Sequence, residues 1–385
     1  MLKRGLQIIA GIAATLVGMV VLLLLIFYLL FIKTPDARAY ASFSDVPIGK
    51  WISIALSTLT GCSDVSDYKI YARRGESDNL IVFFAGGGAC WDAETCSKPI
   101  GFPSFSGYYF PNVWETLHTF LGGIFQLDNP NNPFHDWNVV YVPYCTADFD
   151  IGAANPTYTL ADGKTVSIAH RGRQNVSEAL DWVYATFAHP PKMLVAGESA
   201  GAFASILWTP TLAAHYRDGE IYQLADGAYL KTPRWPQIVD QVWNADSAHT
   251  LGFDVGDDIA DNAYLHYTEN PPANVTYMHI NTLYDGTLMY FNAKLNNISQ
   301  DNGYAEQWSQ SMRAAMKQVA NSGLKYAYYL TNYGRAADGT TPHTSTSGDL
   351  FYKITQDGIF LHDWVNRIVF DGEYFSVGSE FMNRS

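Results

Sequence analysis

The first apolar stretch is the longest. Between Arg4 and Lys33 no charged residue interrupts the roughly 27 positions from Leu6 to Ile32, enough to cross a bilayer at ~1.5 Å rise per residue. The apolar part of a cleaved signal is about 7–15 residues. The run therefore predicts an N-terminal transmembrane anchor over residues 1–33, with Ala37-Arg38-Ala39 as an alternative small-x-small cleavage site. Residues 34–50 read as a linker. Beyond them the pattern changes to short, nearly unbroken apolar runs: "NLIVFF", "NVVYVPYC", "KMLVAG", "EIYQLAD", "VTYMHI" and "KYAYYL". Rich in β-branched and aromatic residues and bounded by turn formers, these read as strands buried on both faces. Longer amphipathic segments lie between them. Val176, Ala179, Leu180, Val183 and Phe187 recur at helical spacing, "AGAFASILWTPTLAAHY" reads as a helix broken or kinked near Pro210, and residues 304–323 form a helix with a Gly stop. The alternation predicts an α/β fold with a mostly parallel central sheet and helices on both faces, as one domain over residues 51–385.

Composition narrows the class. Hydrophobic residues make up 48% and charged residues 16% of the 385, as in a globular domain. The net charge of −13 and the lack of any basic block exclude a nucleic-acid partner. Lys3 and Arg4 precede the anchor while Lys33 and Arg38 follow it, so charge does not orient it. The cysteines do. Cys90 and Cys96 flank "WDAET", which suits a short-loop disulfide, and Cys62 and Cys145 could form a second. An even count in an exported domain places the large domain outside the cytoplasm. A zinc reading lacks a Cys-x-x-Cys pair and a His at ligand spacing. The acidic stretch Asp254–Asn262 offers oxygens for calcium but no EF-hand pattern, and reads as a solvated loop. No metal and no cofactor are expected.

"VAGESAGAF" carries a Gly-x-Ser-x-Gly pattern between a strand and a helix, the setting of a nucleophile elbow centred on Ser199. A serine hydroxyl needs a base, and the base an orienting acid. In α/β-hydrolases these follow in the order Ser, acid, His. Asp285 in "NTLYDGT" and His343 in "PHTSTSGD" satisfy that order, each beyond the C-terminal end of a strand. Asp226, in "LADGA", is the rival acid; His279 within a strand and His362 beside Asp363 are rival histidines. Gly86, Gly87 and Gly88 follow another strand, where consecutive glycines bring backbone N–H groups close to a developing oxyanion. Ala200, after the serine, supplies a further N–H.

The blocks "FFAGGGACWDAETC", "VPYCTADFDIG", "HRGRQNV", "GESAGAF", "NTLYDGT" and "PHTSTSGD" resemble, in order and spacing, those of the pectin acetylesterase family, which also contains the Notum carboxylesterases. The similarity spans roughly Cys62 to Phe370. It implies metal-free serine ester hydrolysis, with Ser199 as nucleophile, Asp285 as acid, His343 as base, Gly87, Gly88 and Ala200 as oxyanion donors, and a Cys90–Cys96 bridge. Two positions depart from many relatives: Ala85 where Glu precedes the glycines, and Gly88 with Ala89 where an aromatic is found. The expected function is a membrane-anchored, extracytoplasmic carboxylesterase acting on acetylated polysaccharide. A long-chain acyl esterase and a non-catalytic glycan-binding domain are the alternatives.

Overall fold

A computed structural model describes residue 15 and residues 17–23, 34–101, 106–301 and 303–382. Most of the expected anchor lies outside the described residues. Among those described, no helix is long and apolar enough to cross a membrane.

Eight strands form one sheet: β1 Trp51–Ala55, β2 Lys69–Arg73, β3 Leu80–Phe84, β4 Asn138–Val142, β5 Lys192–Glu198, β6 Glu220–Asp226, β7 Val275–Thr282 and β8 Tyr326–Thr331. Their order is β1-β2-β4-β3-β5-β6-β7-β8. The first two pairings, β1 with β2 and β2 with β4, are antiparallel. All later pairings are parallel. Every residue of β3, β4, β7 and β8 is buried. Since successive side chains point to opposite faces, both faces of these strands are covered, as their unbroken apolar runs require. The principal helices are α1 Gly172–Thr186, α2 Ala200–His215, α3 Ile259–Tyr267, α4 Gly286–Asn296, α5 Tyr304–Ala320 and α6 Leu361–Val369.

Three sequence expectations need correction. Pro210 lies inside α2, which runs on to His215 without a break. The acidic stretch is not a solvated loop: Asp258 is buried and caps α3, its carboxylate accepting from the Asp261 N–H. Nor do residues 34–50 stand off as a free linker. Ser53 N–H donates to Pro35 O at 2.8 Å on the open edge of β1, Phe43 packs edge-on against Trp182 and Phe187, and Val46 is wholly buried. The far edge is covered too, where Val377 N–H donates to Tyr328 O and Leu330 N–H donates to Val377 O.

Both disulfides form. Cys90–Cys96 closes a short loop and Cys62–Cys145 spans a sequence separation of 83. His170 lies beside the Cys90–Cys96 pair, a neighbour that sequence spacing did not reveal.

Candidate active site

Ser199 sits between β5 and α2 with φ 56° and ψ −124°, a conformation costly for a residue with a side chain. Its flanking glycines explain how the turn is tolerated. A Cβ on Gly197 would lie 2.0 Å from Gly201 O, and one on Gly201 would lie 2.1 Å from Phe84 O. The turn is thus wedged between α2 and the end of β3, and only glycine fits at either side. Ser199 N–H donates to Asp226 O at 2.9 Å, fixing the turn to the end of β6.

The glycine loop leaves β3 directly beneath this turn. A Cβ on Gly86 would meet Ser199 Cβ at 3.0 Å, so Gly86 abuts the serine. Gly88 has φ +77° and would place a Cβ 1.9 Å from Tyr108 O. Phe110 N–H donates to Gly87 O, turning that carbonyl toward the loop beyond. Among the described residues, the N–H groups of Gly86, Gly87, Gly88 and Ala200 donate to no acceptor. Ala200 is the first residue of α2, whose N-terminal N–H groups favour negative charge.

Asp285 and His343 meet. His343 Nδ1 donates to Asp285 Oδ2 at 2.7 Å, and Leu288 N–H donates to Asp285 Oδ1 at 2.9 Å. The carboxylate, 2% exposed, caps α4 with one oxygen and orients the imidazole with the other. Thr341 N–H donates to Tyr284 O, tying the two loops together. The imidazole packs on Gly227, where a Cβ would come 3.5 Å from His343 Cε1. Gly227 follows the residue that holds the Ser199 backbone, so serine and imidazole share one corner of the sheet. The Ser199 hydroxyl itself makes no hydrogen bond among the described residues.

The rivals have other work. Asp226 Oδ2 accepts from Ser345 N–H and Oγ and from Thr346 N–H and Oγ1, at 2.6–3.0 Å. It holds the histidine loop from below instead of pairing with the imidazole. His279 is buried, bonded to Tyr326 OH and Asn281, and burial lowers its pKa to about 3. His362 lies on α6 beside Asp363.

Glu198 was not singled out by sequence reasoning, though it is the variable position before the serine. Ser347 Oγ lies 2.7 Å from each carboxylate oxygen of Glu198. Burial, against the Ser347 hydrogen bond, raises Glu198 to about 7. Burial also works against the imidazolium of His343, but the charge and hydrogen bond of Asp285, with Asp226 and Glu198 behind it, raise the His343 pKa above its usual value. The loop carrying the histidine is therefore clamped by two carboxylates, the buried Asp226 and the half-buried Glu198.

The pectinacetylesterase family model matches residues 50–244. The chain belongs to the pectinacetylesterase family. The matched segment contains the glycine loop and Ser199 but ends before Asp285 and His343, whose placement rests on the geometry above. Pectin acetylesterase 4 of Arabidopsis thaliana is 25% identical over 217 residues, covering 55% of this chain and 51% of the relative. Palmitoleoyl-protein carboxylesterase notum2 of Xenopus laevis is 25% identical over 196 residues, covering 50% of this chain and 37% of the relative. The chain thus spans about half or less of the curated relatives it matches. In three dimensions it is similar to the Wnt deacylase Notum from Drosophila, with a TM-score of 0.60 and 16% identity over 84% of this chain and 94% of that one. That likeness gives the fold: an α/β, Notum-like hydrolase architecture with a mostly parallel central sheet.

Proposed function

We propose that this pectinacetylesterase-family protein is a serine carboxylesterase that removes acetyl groups from an acetylated polysaccharide outside the cytoplasm. The observation that carries the reading is the His343–Asp285 pair at 2.7 Å, set beside a strained serine turn and a row of unused backbone N–H groups. Asp285 holds the tautomer that leaves His343 Nε2 to take the Ser199 proton. Ser199 Oγ attacks the ester carbonyl. The N–H groups of Gly87, Gly88 and Ala200 stabilise the oxyanion. His343 then returns the proton to the departing alcohol, and water, activated by the same imidazole, releases the acid from the acyl-enzyme. The names of two matched relatives point to acetyl and palmitoleoyl esters respectively, so a long-chain acyl ester is the second reading.

The N-terminal apolar run anchors the chain and the disulfide-bearing domain faces the oxidising side. Carbonate extraction of expressing cells should leave the full-length chain in the membrane pellet, and release into the wash would refute the anchor. For the chemistry, the detergent-solubilised chain should cleave p-nitrophenyl acetate and Ser199→Ala should not. Undiminished cleavage by the variant would remove Ser199 from the mechanism. Absence of cleavage by either protein would favour glycan binding without catalysis.

A further inference from the structure

The Cys90–Cys96 bridge has a neighbour that the esterase chemistry does not use. The two sulfurs and a ring nitrogen of His170 lie within 4.8 Å of one another, and all three residues are buried. The histidine that a zinc reading of the sequence lacked thus comes from the loop before α1. His170 Nδ1–H donates to Thr146 O at 2.9 Å, which leaves Nε2 as the nitrogen with a free lone pair. Among the described residues Nε2 has no hydrogen-bond partner, although buried polar atoms are ordinarily paired. Metal-binding imidazoles are oriented in the same way, by an N–H bond from the other nitrogen to a carbonyl. Cys62 and Cys145 belong to no such group among the described residues.

The cysteines have reason to stay beside His170 without their covalent bond. Cys90 N–H donates to Ala147 O, Trp243 Nε1–H donates to Cys90 O at 2.9 Å, and Tyr109 OH donates to Cys96 O at 2.9 Å. All of these use backbone atoms of the cysteines, so reduction of the sulfurs need not break them. They hold the two Cα atoms 5.0 Å apart. A tetrahedral zinc with Zn–S about 2.3 Å and Zn–N about 2.0 Å keeps its ligand atoms about 3.6–3.8 Å apart. Donors already within 4.8 Å reach that spacing through small side-chain movements. Two thiolates also cancel the charge of Zn²⁺, so the filled site would bury no net charge.

We propose that Cys90, Cys96 and His170 form a zinc site when the bridge is reduced, with water as the fourth ligand. Zinc holds the loop before the disulfide closes, and the disulfide holds it afterwards. With a phosphine as reductant, phosphorus gives two electrons to the S–S bond and leaves as the phosphine oxide. Water supplies its oxygen and the two protons that the sulfurs take. Zinc then displaces both thiol protons to solvent. Cys90 follows Gly88 and Ala89 directly, so either staple secures the end of the glycine loop. The inference stands apart from the esterase reading, since none of the three residues is assigned to that chemistry.

The test uses the detergent-solubilised full-length chain, reduced with a water-soluble phosphine and given Zn²⁺ alone. Native mass spectrometry should count one zinc on the reduced chain and none on the oxidised chain. Zinc should raise the melting temperature of the reduced chain and leave that of the oxidised chain unmoved. Co²⁺ in its place should give a thiolate-to-cobalt charge-transfer band and the strong visible bands of a tetrahedral site. Losing a group that orients a ligand costs about 10–100-fold in metal affinity. His170→Ala, which removes the ligand itself, should therefore weaken zinc binding by at least about a hundredfold. His170→Gln replaces it if the alanine variant does not melt cooperatively when oxidised. Cys90→Ser combined with Cys96→Ser should abolish binding, and it retains Cys62 and Cys145 as a control for zinc on that pair. Zinc absent from the reduced parent, or held as tightly by the histidine variant or by the double cysteine variant, overturns the site. Esterase activity enters none of these readouts, so their failure leaves that reading untouched.

Discussion

Gly201→Ala probes the wedge that shapes the serine turn. The added methyl would sit 2.1 Å from Phe84 O and 2.6 Å from Ala85 O, both backbone atoms that no rotamer change can move aside. Carbon in real structures does not approach below 3.0 Å, so α2 and the end of β3 must separate by roughly 1 Å. Overpacking of this kind costs about 1–3 kcal/mol. The catalytic consequence should be larger, because α2 starts at Ala200 directly after Ser199 while β3 leads into Gly86–Gly88. A misplacement of about 1 Å between nucleophile and oxyanion donors costs on the order of 10²-fold in rate. The assay is kcat/KM for p-nitrophenyl acetate beside a thermal melt. Gly348→Ala serves as control, since a Cβ there meets nothing within 4 Å although the residue lies on the histidine loop. The control should stay within about threefold of the parent and Gly201→Ala should fall about a hundredfold while still melting cooperatively. Gly201→Ala with near-parental kcat/KM would show that the wedge does not set the geometry of the site.

Further outcomes follow from the same structure. Asp285→Asn should lower kcat about 10⁴-fold by losing the tautomer control; a loss under tenfold would return Asp226 to consideration as the acid. In the proposed mechanism His343 must be neutral to act as base, and its pKa is raised, so the acid limb of the pH–rate profile should have its midpoint above the ordinary histidine value near 6.5. Glu198→Gln removes a negative charge that helps raise it and should move that midpoint to lower pH; an unmoved midpoint would uncouple the two groups. Glu198 also binds its proton more tightly folded, at about 7 against 4.5, so it lowers stability progressively as pH rises through that window. Glu198→Gln should therefore raise the melting temperature at pH 8 more than at pH 5, and equal shifts would contradict the burial argument. Replacing Cys62 and Cys145 by alanine should cost about 4.5 kcal/mol by loop-closure entropy, against about 2 kcal/mol for Cys90 and Cys96; calorimetry that reverses the order would point to the packing of His170 against the shorter bridge.

Much of this architecture is legible in the chain because buried parallel strands must be apolar throughout. "KMLVAG" and "VTYMHI" announce β5 and β7 without ambiguity. The meeting of Asp285 with His343 is legible because chain order and strand ends restrict where such residues stand. What escapes is set by contacts remote in sequence. β1 pairs antiparallel with β2, and its short "WISIA" carries no turn signal strong enough to mark it. Asp258 looks solvated among its acidic neighbours until α3 starts upon it. Glu198 is hidden inside its own motif, and its importance depends on Ser347, which lies 149 residues away.

The covering of β1 by Pro35 bears on reach. Under the anchored reading the anchor segment ends at Lys33, yet Pro35 already belongs to the folded domain through its bond from Ser53. Two residues span at most about 7 Å. An anchored domain of this kind thus has no leash. It cannot sweep the space around the cell as a tethered domain on a flexible stalk would, and its β1 edge is held toward the bilayer. On the proposed anchor and activity together, its substrates are the esters presented at the membrane surface itself, and only release of the domain from its anchor would let it act at a distance.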